Sequence, residues 1–150
     1  MAGRLAGWRA LSGPEKRLFL GLVLGLPLVA LLLRGLGTVR SVRILERWSA
    51  TASPRHAVSG DMQAAQRLAH LAAIAGRRGM VAVTCLRQAL LVHFLLRRRG
   101  LASALKIGVR KQAEAFDAHA WVELQGVALG QQDLVHSPFS SSEWVSSVAR

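Results

Sequence analysis

Residues 84–100 read TCLRQALLVHFLLRRRG, and this stretch decides the fold. A Thr stands where a helix cap belongs, the middle is apolar on most faces, arginines fill the last turn and a glycine closes it. A helix this apolar all round does not sit on a surface, so it is predicted to be the central, buried element. After Gly100 the period changes from helical to two. Leu105, Ile107 and Val109 alternate with Lys106, Gly108 and Arg110, the pattern of a half-buried strand. A polar turn through residues 112–115 leads to Phe116–Leu124 (FDAHAWVEL), in which Ala118, Ala120, Val122 and Leu124 face one way and His119, Trp121 and Glu123 the other. Gln125-Gly126 then signals a tight hairpin into Val127–Leu129.

Working back from residue 84, a short segment occupies Gly79–Val83. Before it, Met62, Ala65, Leu68, Ala69, Ala72 and Ala73 recur at helical spacing, predicting a helix from Asp61 to about Ala75 that ends at Gly76. The Ser-, Pro- and Gly-containing stretch 49–60 reads as a linker. The chain thus divides into an N-terminal apolar helix with linker, residues 1–60, and a domain over 61–150. That domain runs helix, helix, antiparallel sheet, an α+β arrangement.

The N-terminal segment is dominated by Leu18–Leu33 (LFLGLVLGLPLVALLL), bracketed by Lys16-Arg17 and Arg34. As an unbroken helix it reaches only about 24 Å, short of a hydrocarbon core of roughly 30 Å. The residues after it stay basic and offer no small-residue cleavage site, which argues against a secretory signal. Three readings stay open: a short membrane helix, an interfacial helix, or a helix buried against the domain or a partner. Pro27 with Gly21, Gly25 and Gly35 predicts a kink or a weak helix within the run.

Charge sharpens the division. The chain of 150 residues has a formal net charge of +12 although 51% of it is hydrophobic. Residues 1–60 are net +7, 61–112 net +9 and 113–150 net −4. A disordered tail lacks such apolar content, and nucleic-acid binding is disfavoured because the eight Phe and Trp residues form no stacking pattern. The basic part reads instead as a docking or membrane-proximal surface.

One thiol and five imidazoles carry the candidate chemistry. A single Cys excludes an intramolecular disulfide. Cys85 falls in the first turn of the buried helix, where backbone N–H groups and the helix dipole stabilise a thiolate. His119, on a strand, is placed to accept its proton and form a thiolate–imidazolium pair. A third group to orient the imidazole comes from Glu123, Gln131, Gln132 or Asp133. His56, His70, His93 and His136 have no zinc-ligand spacing with Cys85, so neither a metal nor a cofactor is expected.

The Thr84-Cys85-Leu86 start, the Leu105–Lys111 strand (LKIGVRK) and Ala118–Leu124 (AHAWVEL) with Gly126 together resemble the peptidase half of lasso peptide biosynthesis protein B, a transglutaminase-like family. The similarity spans about residues 61–135, and the apolar helix with its Arg-rich flanks is similar to the N-terminal part of stand-alone members. The resemblance implies a papain/transglutaminase-like core, with a central helix bearing Cys packed on a small antiparallel sheet bearing His. It implies a bacterial, cytoplasmic hydrolase of antibiotic biosynthesis, a cysteine protease that removes the leader from a precursor peptide. Cys85 would be the nucleophile and His119 the base. The family's third residue is an acid after the hairpin; that position holds Gln131 here, so either Gln131 orients the imidazole without charge, or the nearest acid, Asp133, takes the role, or the site is impaired, and Asp133 is preferred. Implied partners are the precursor peptide, a separate leader-recognition protein and an asparagine-synthetase-like macrolactam cyclase, with membrane association through residues 18–33 left open. Two rivals stand beside this reading. One is a transglutaminase-like acyltransferase or protease acting on another peptide; the other is a non-enzymatic, membrane-associated basic module.

Overall fold

The structure is a computed structural model that describes residues 12–50, 54–78, 84–112, 115–130 and 137–138. Among the described residues three helices, α1 (Gly13–Ser49), α2 (Ser59–Arg78) and α3 (Cys85–Arg98), precede four strands, β1 (Ser103–Gln112), β2 (Ala115–Leu124), β3 (Val127–Ala128) and β4 (Ser137–Pro138). The strands form one antiparallel sheet in the order β3-β2-β1-β4. This is the α+β architecture expected, with an N-terminal apolar helix added.

α3 is the element around which the rest is arranged. Ala89, Leu90, Leu91, Val92, His93 and Leu96 are buried, and the helix packs against α1, α2, β1 and β2. It stops as its sequence requires. Gly100 takes φ +76°, Gly100 N–H donates to Arg97 O at 2.8 Å, and Leu101 N–H to Leu96 O at 3.0 Å, a Schellman ending with buried Leu101 over buried Leu96. The reversal between β2 and β3 is the two-residue turn read from Gln125-Gly126, with φ of 53° and 77°. α2, by contrast, does not end at Gly76 but runs to Arg78. The Gly79–Val83 segment lies outside the described residues.

The apolar helix is longer than the apolar run. Ser12 and Glu15 form a reciprocal capping box at its start, and Glu15 Oε1 accepts from Arg67 Nε of α2 at 2.7 Å. The Ser12 backbone N–H, ahead of Arg67, holds the Glu15 carboxyl down at about 2. The helix continues through Pro27 and is interrupted at Gly37, whose φ of +72° and ψ of 170° only glycine adopts readily. Buried Ser41 covers the break, its Oγ lying 2.9 Å from Leu32 O and 2.6 Å from Gly37 O.

One face of α1 joins the same core as the other elements. Leu22, Leu26, Val29, Val42 and Leu45 cluster with Leu68 and Leu71 of α2 and Leu90 and Leu96 of α3. The approach is closest at Gly25, where an added Cβ would lie 3.0 Å from a methyl of Leu91. Residues 54–58 are also tied in. Arg55 bridges to Leu101 and pairs with Asp61 through both carboxylate oxygens, which with the Val58 N–H brings the Asp61 carboxyl down to about 2.

Beneath the helices, His93 Nδ1 lies 2.9 Å from Ser103 Oγ at the start of β1. Burial pushes this imidazole down to about 4, and the nearby Arg97 charge adds to the effect. Its folded value lies below the unfolded one, so between pH 6.5 and 4 the unfolded chain binds the extra proton. Stability is therefore full above that window and falls as the pH drops through it, by roughly 3 kcal/mol in total. Urea denaturation at neutral pH and near pH 4.5 should show this fall, and a His93→Gln variant should show a clearly smaller one. Equal slopes for the two chains would remove His93 as the cause.

Candidate active site

Cys85 is the first residue of α3, and Thr84 before it is extended, with φ −79° and ψ 157°. The Thr84 carbonyl accepts from Arg87 and Gln88 N–H at 3.1 and 3.2 Å. Its hydroxyl makes no capping bond, contrary to the role the sequence suggested for it. The first turn also lacks any acidic side chain, so nothing anionic on it opposes a thiolate at the positive end of the helix. The N–H groups of Cys85 and Leu86 begin the helix, where the α-helical bonding pattern gives them no partner.

The sheet brings His119 to the same place. The Cys85 Sγ lies 4.0 Å from the carbonyl oxygen of Ala118, the residue immediately before His119 on β2. Cys85 and His119, both half-buried, line one pocket of about 80 Å³. Across the sheet Gly108 of β1 is the register partner of His119, so the position directly opposite the imidazole carries no side chain. α2 supplies the opposite wall through Ala69, Ala72 and Ala73, and Leu129 and Gly130 close the end beyond the hairpin. Small residues on α2 were read only as a helix face in the sequence. Their second use, leaving room beside a thiol, depends on which helix faces which and has no signature in spacing.

The imidazole also has a neighbour that sequence reasoning missed. Buried Trp121 stacks on His119, ring centroids 6.2 Å apart and planes inclined by 16°. The indole is itself fixed, donating from Nε1 to Glu123 Oε1 at 3.1 Å. His119, Trp121 and Glu123 thus form a ladder along β2, and the alternation of FDAHAWVEL was the available signal for it.

Of the groups considered for the third position, Glu123 is engaged with Trp121. Asp133, Gln131 and Gln132 lie outside the described residues. Three glutamines of α2 and α3, a residue type able to donate to an oxyanion, sort differently. Gln66 is occupied, its Nε2 donating to Ala128 O at 3.3 Å and its Oε1 accepting from Gly130 N–H at 2.8 Å. Gln63 is exposed on α2, whereas Gln88, one turn along α3 from Cys85, lines the pocket. Gln66 therefore anchors the segment Ala128–Gly130, and among the described residues Gln88 is the glutamine that lines the pocket. Among the described residues no group of three or more His, Cys, Asp or Glu is placed to hold a metal ion.

A thiol on a helix start and an imidazole on the adjoining antiparallel strand line one pocket, the two kinds of group that thiol-based acyl transfer employs. The family model of the transglutaminase-like superfamily matches residues 28–141, and the chain belongs to that superfamily, which includes cysteine peptidases and acyltransferases. The match begins inside α1, in keeping with the core that α1 shares with α2 and α3. No curated protein and no solved structure matches the chain.

Proposed function

We propose that the protein is a cysteine peptidase that removes the leader from a ribosomally made lasso precursor peptide. The observation that carries a thiol mechanism is the shared pocket of Cys85 and His119 at the positive end of α3. In the first half-reaction His119 takes the Cys85 proton and the thiolate attacks the carbonyl carbon of the leader–core bond. The N–H groups at the start of α3 are placed to receive the developing oxyanion, and His119 returns the proton to the departing amine of the core peptide. Water, deprotonated by His119, then releases the leader as its carboxylate and regenerates the thiol. Asp133 is proposed to orient the imidazole beside Trp121. Its loss would cost less than loss of the base, since its part is positional and electrostatic.

The proposed setting is the cytoplasm, with a small recognition protein presenting the leader and an asparagine-synthetase-like cyclase closing the released core. The test mixes the protein with a candidate precursor and its recognition partner and follows leader release by mass spectrometry. Leader release at one defined bond is the expected result. Transfer of the acyl group to an added amine without hydrolysis would instead favour the acyltransferase reading.

A further inference from the structure

We propose that α1 is a membrane-surface element: its outward leucine stripe inserts into one leaflet of an anionic bilayer while its inward face stays in the protein core. Leu20, Leu24, Leu28 and Leu31, spaced by four, four and three residues, fall on one line of the helix and are 54%, 60%, 65% and 66% exposed. The opposite line, Leu22, Leu26 and Val29, is buried. α1 is long and apolar enough to cross a membrane. Crossing, however, would draw into the bilayer the two helices, α2 and α3, that pack on the Leu22, Leu26 and Val29 face. An orientation in the plane of the interface satisfies both faces at once.

The charges identify the surface as anionic. Exposed Arg17 and Arg34 stand at the two ends of the stripe, where long side chains reach lipid headgroups while their stems follow the leucines. Beyond the Gly37 break, Arg40, Arg43 and Arg47 are exposed, as is Trp48, a residue type that settles at membrane–water boundaries. Against these, α1 carries only two acidic residues, and one of them, Glu15, is held by Ser12 and Arg67. A protein partner would accept the leucines equally well. The arginines bracketing them favour phospholipid headgroups, each basic residue adding to the attraction of a negatively charged leaflet.

The test is co-sedimentation with vesicles of phosphatidylcholine alone and of phosphatidylcholine with one third phosphatidylglycerol. The full chain should pellet with the anionic vesicles and far less with the neutral ones. Leu24→Gln with Leu28→Gln should weaken that binding by about tenfold or more, and Arg17→Glu with Arg34→Glu should abolish the preference for anionic lipid. Both variants should melt like the parent, because none of the four side chains is in the core. Failure of the parent to bind anionic vesicles, or unchanged binding by the leucine variant, overturns the proposal. So does retention in the bilayer after alkaline carbonate washing, which would mean a spanning helix. A self-associated parent that the leucine changes split into monomers, with no lipid binding, would assign the stripe to a second copy of the chain and overturn it equally.

Discussion

Cys85→Ala should reduce leader release by a factor of about 10³ or more, to the level given by binding and oxyanion stabilisation alone. The sulfur is the atom that bonds to the acyl carbon, and no other thiol is present to replace it. The variant should still fold, since a half-buried side chain loses a single heavy atom. Circular dichroism and the melting temperature would check that. Iodoacetamide offers an assay independent of substrate: the parent should take up one label, at Cys85, and the alanine variant none. His119→Gln should slow that labelling near neutral pH, because the imidazole no longer draws off the thiol proton. Cleavage by Cys85→Ala at the parent rate would end the thiol mechanism. Normal labelling without cleavage of any precursor would keep the reactive thiol and end only the proposed substrate.

Leu22→Asp should unfold the protein. The side chain is fully buried in the cluster that joins α1 to α2 and α3, and an unpaired carboxylate there costs several kcal/mol even after it takes up a proton. Total stabilities of 5–15 kcal/mol for domains of this kind leave little margin for such a loss. Leu24→Gln, two residues along the same helix on its outward line, should change stability by no more than about 0.5 kcal/mol. Urea denaturation of both would measure the contrast. Should Leu22→Asp remain folded with a parent-like pocket, α1 would be an appendage and not part of the core.

The contrast between those two leucines marks what the sequence made legible and what it did not. α3, the β1–β2 pair and the Gln125-Gly126 turn could be read because each rests on local rules: a period, a glycine ending, a turn dipeptide. Cys85 and His119 could be singled out because a helix start and a strand each confer chemistry on one residue. The all-apolar run 18–33 gave no sidedness, since leucines that face lipid or solvent and leucines that face the core look alike. The break at Gly37 was hidden for a similar reason. A proline inside a helix costs one hydrogen bond, and here α1 continues through Pro27, while a positive φ that only glycine accepts freely fixed the bend. Residues 54–58 read as linker from composition, yet Arg55 couples Leu101 and Asp61, two partners far apart in sequence. The stack of Trp121 on His119 was implied by alternation along β2 but not its closeness, which depends on side-chain torsions.

That stack has a spectroscopic consequence. Trp121 is buried and lies nearly parallel to the imidazole, whereas Trp48 is 66% exposed. A charged imidazolium perturbs an adjacent indole more strongly than a neutral ring does. The emission component that Trp121→Phe removes from the intrinsic fluorescence should therefore respond to the charge on His119, in the native chain without any attached dye.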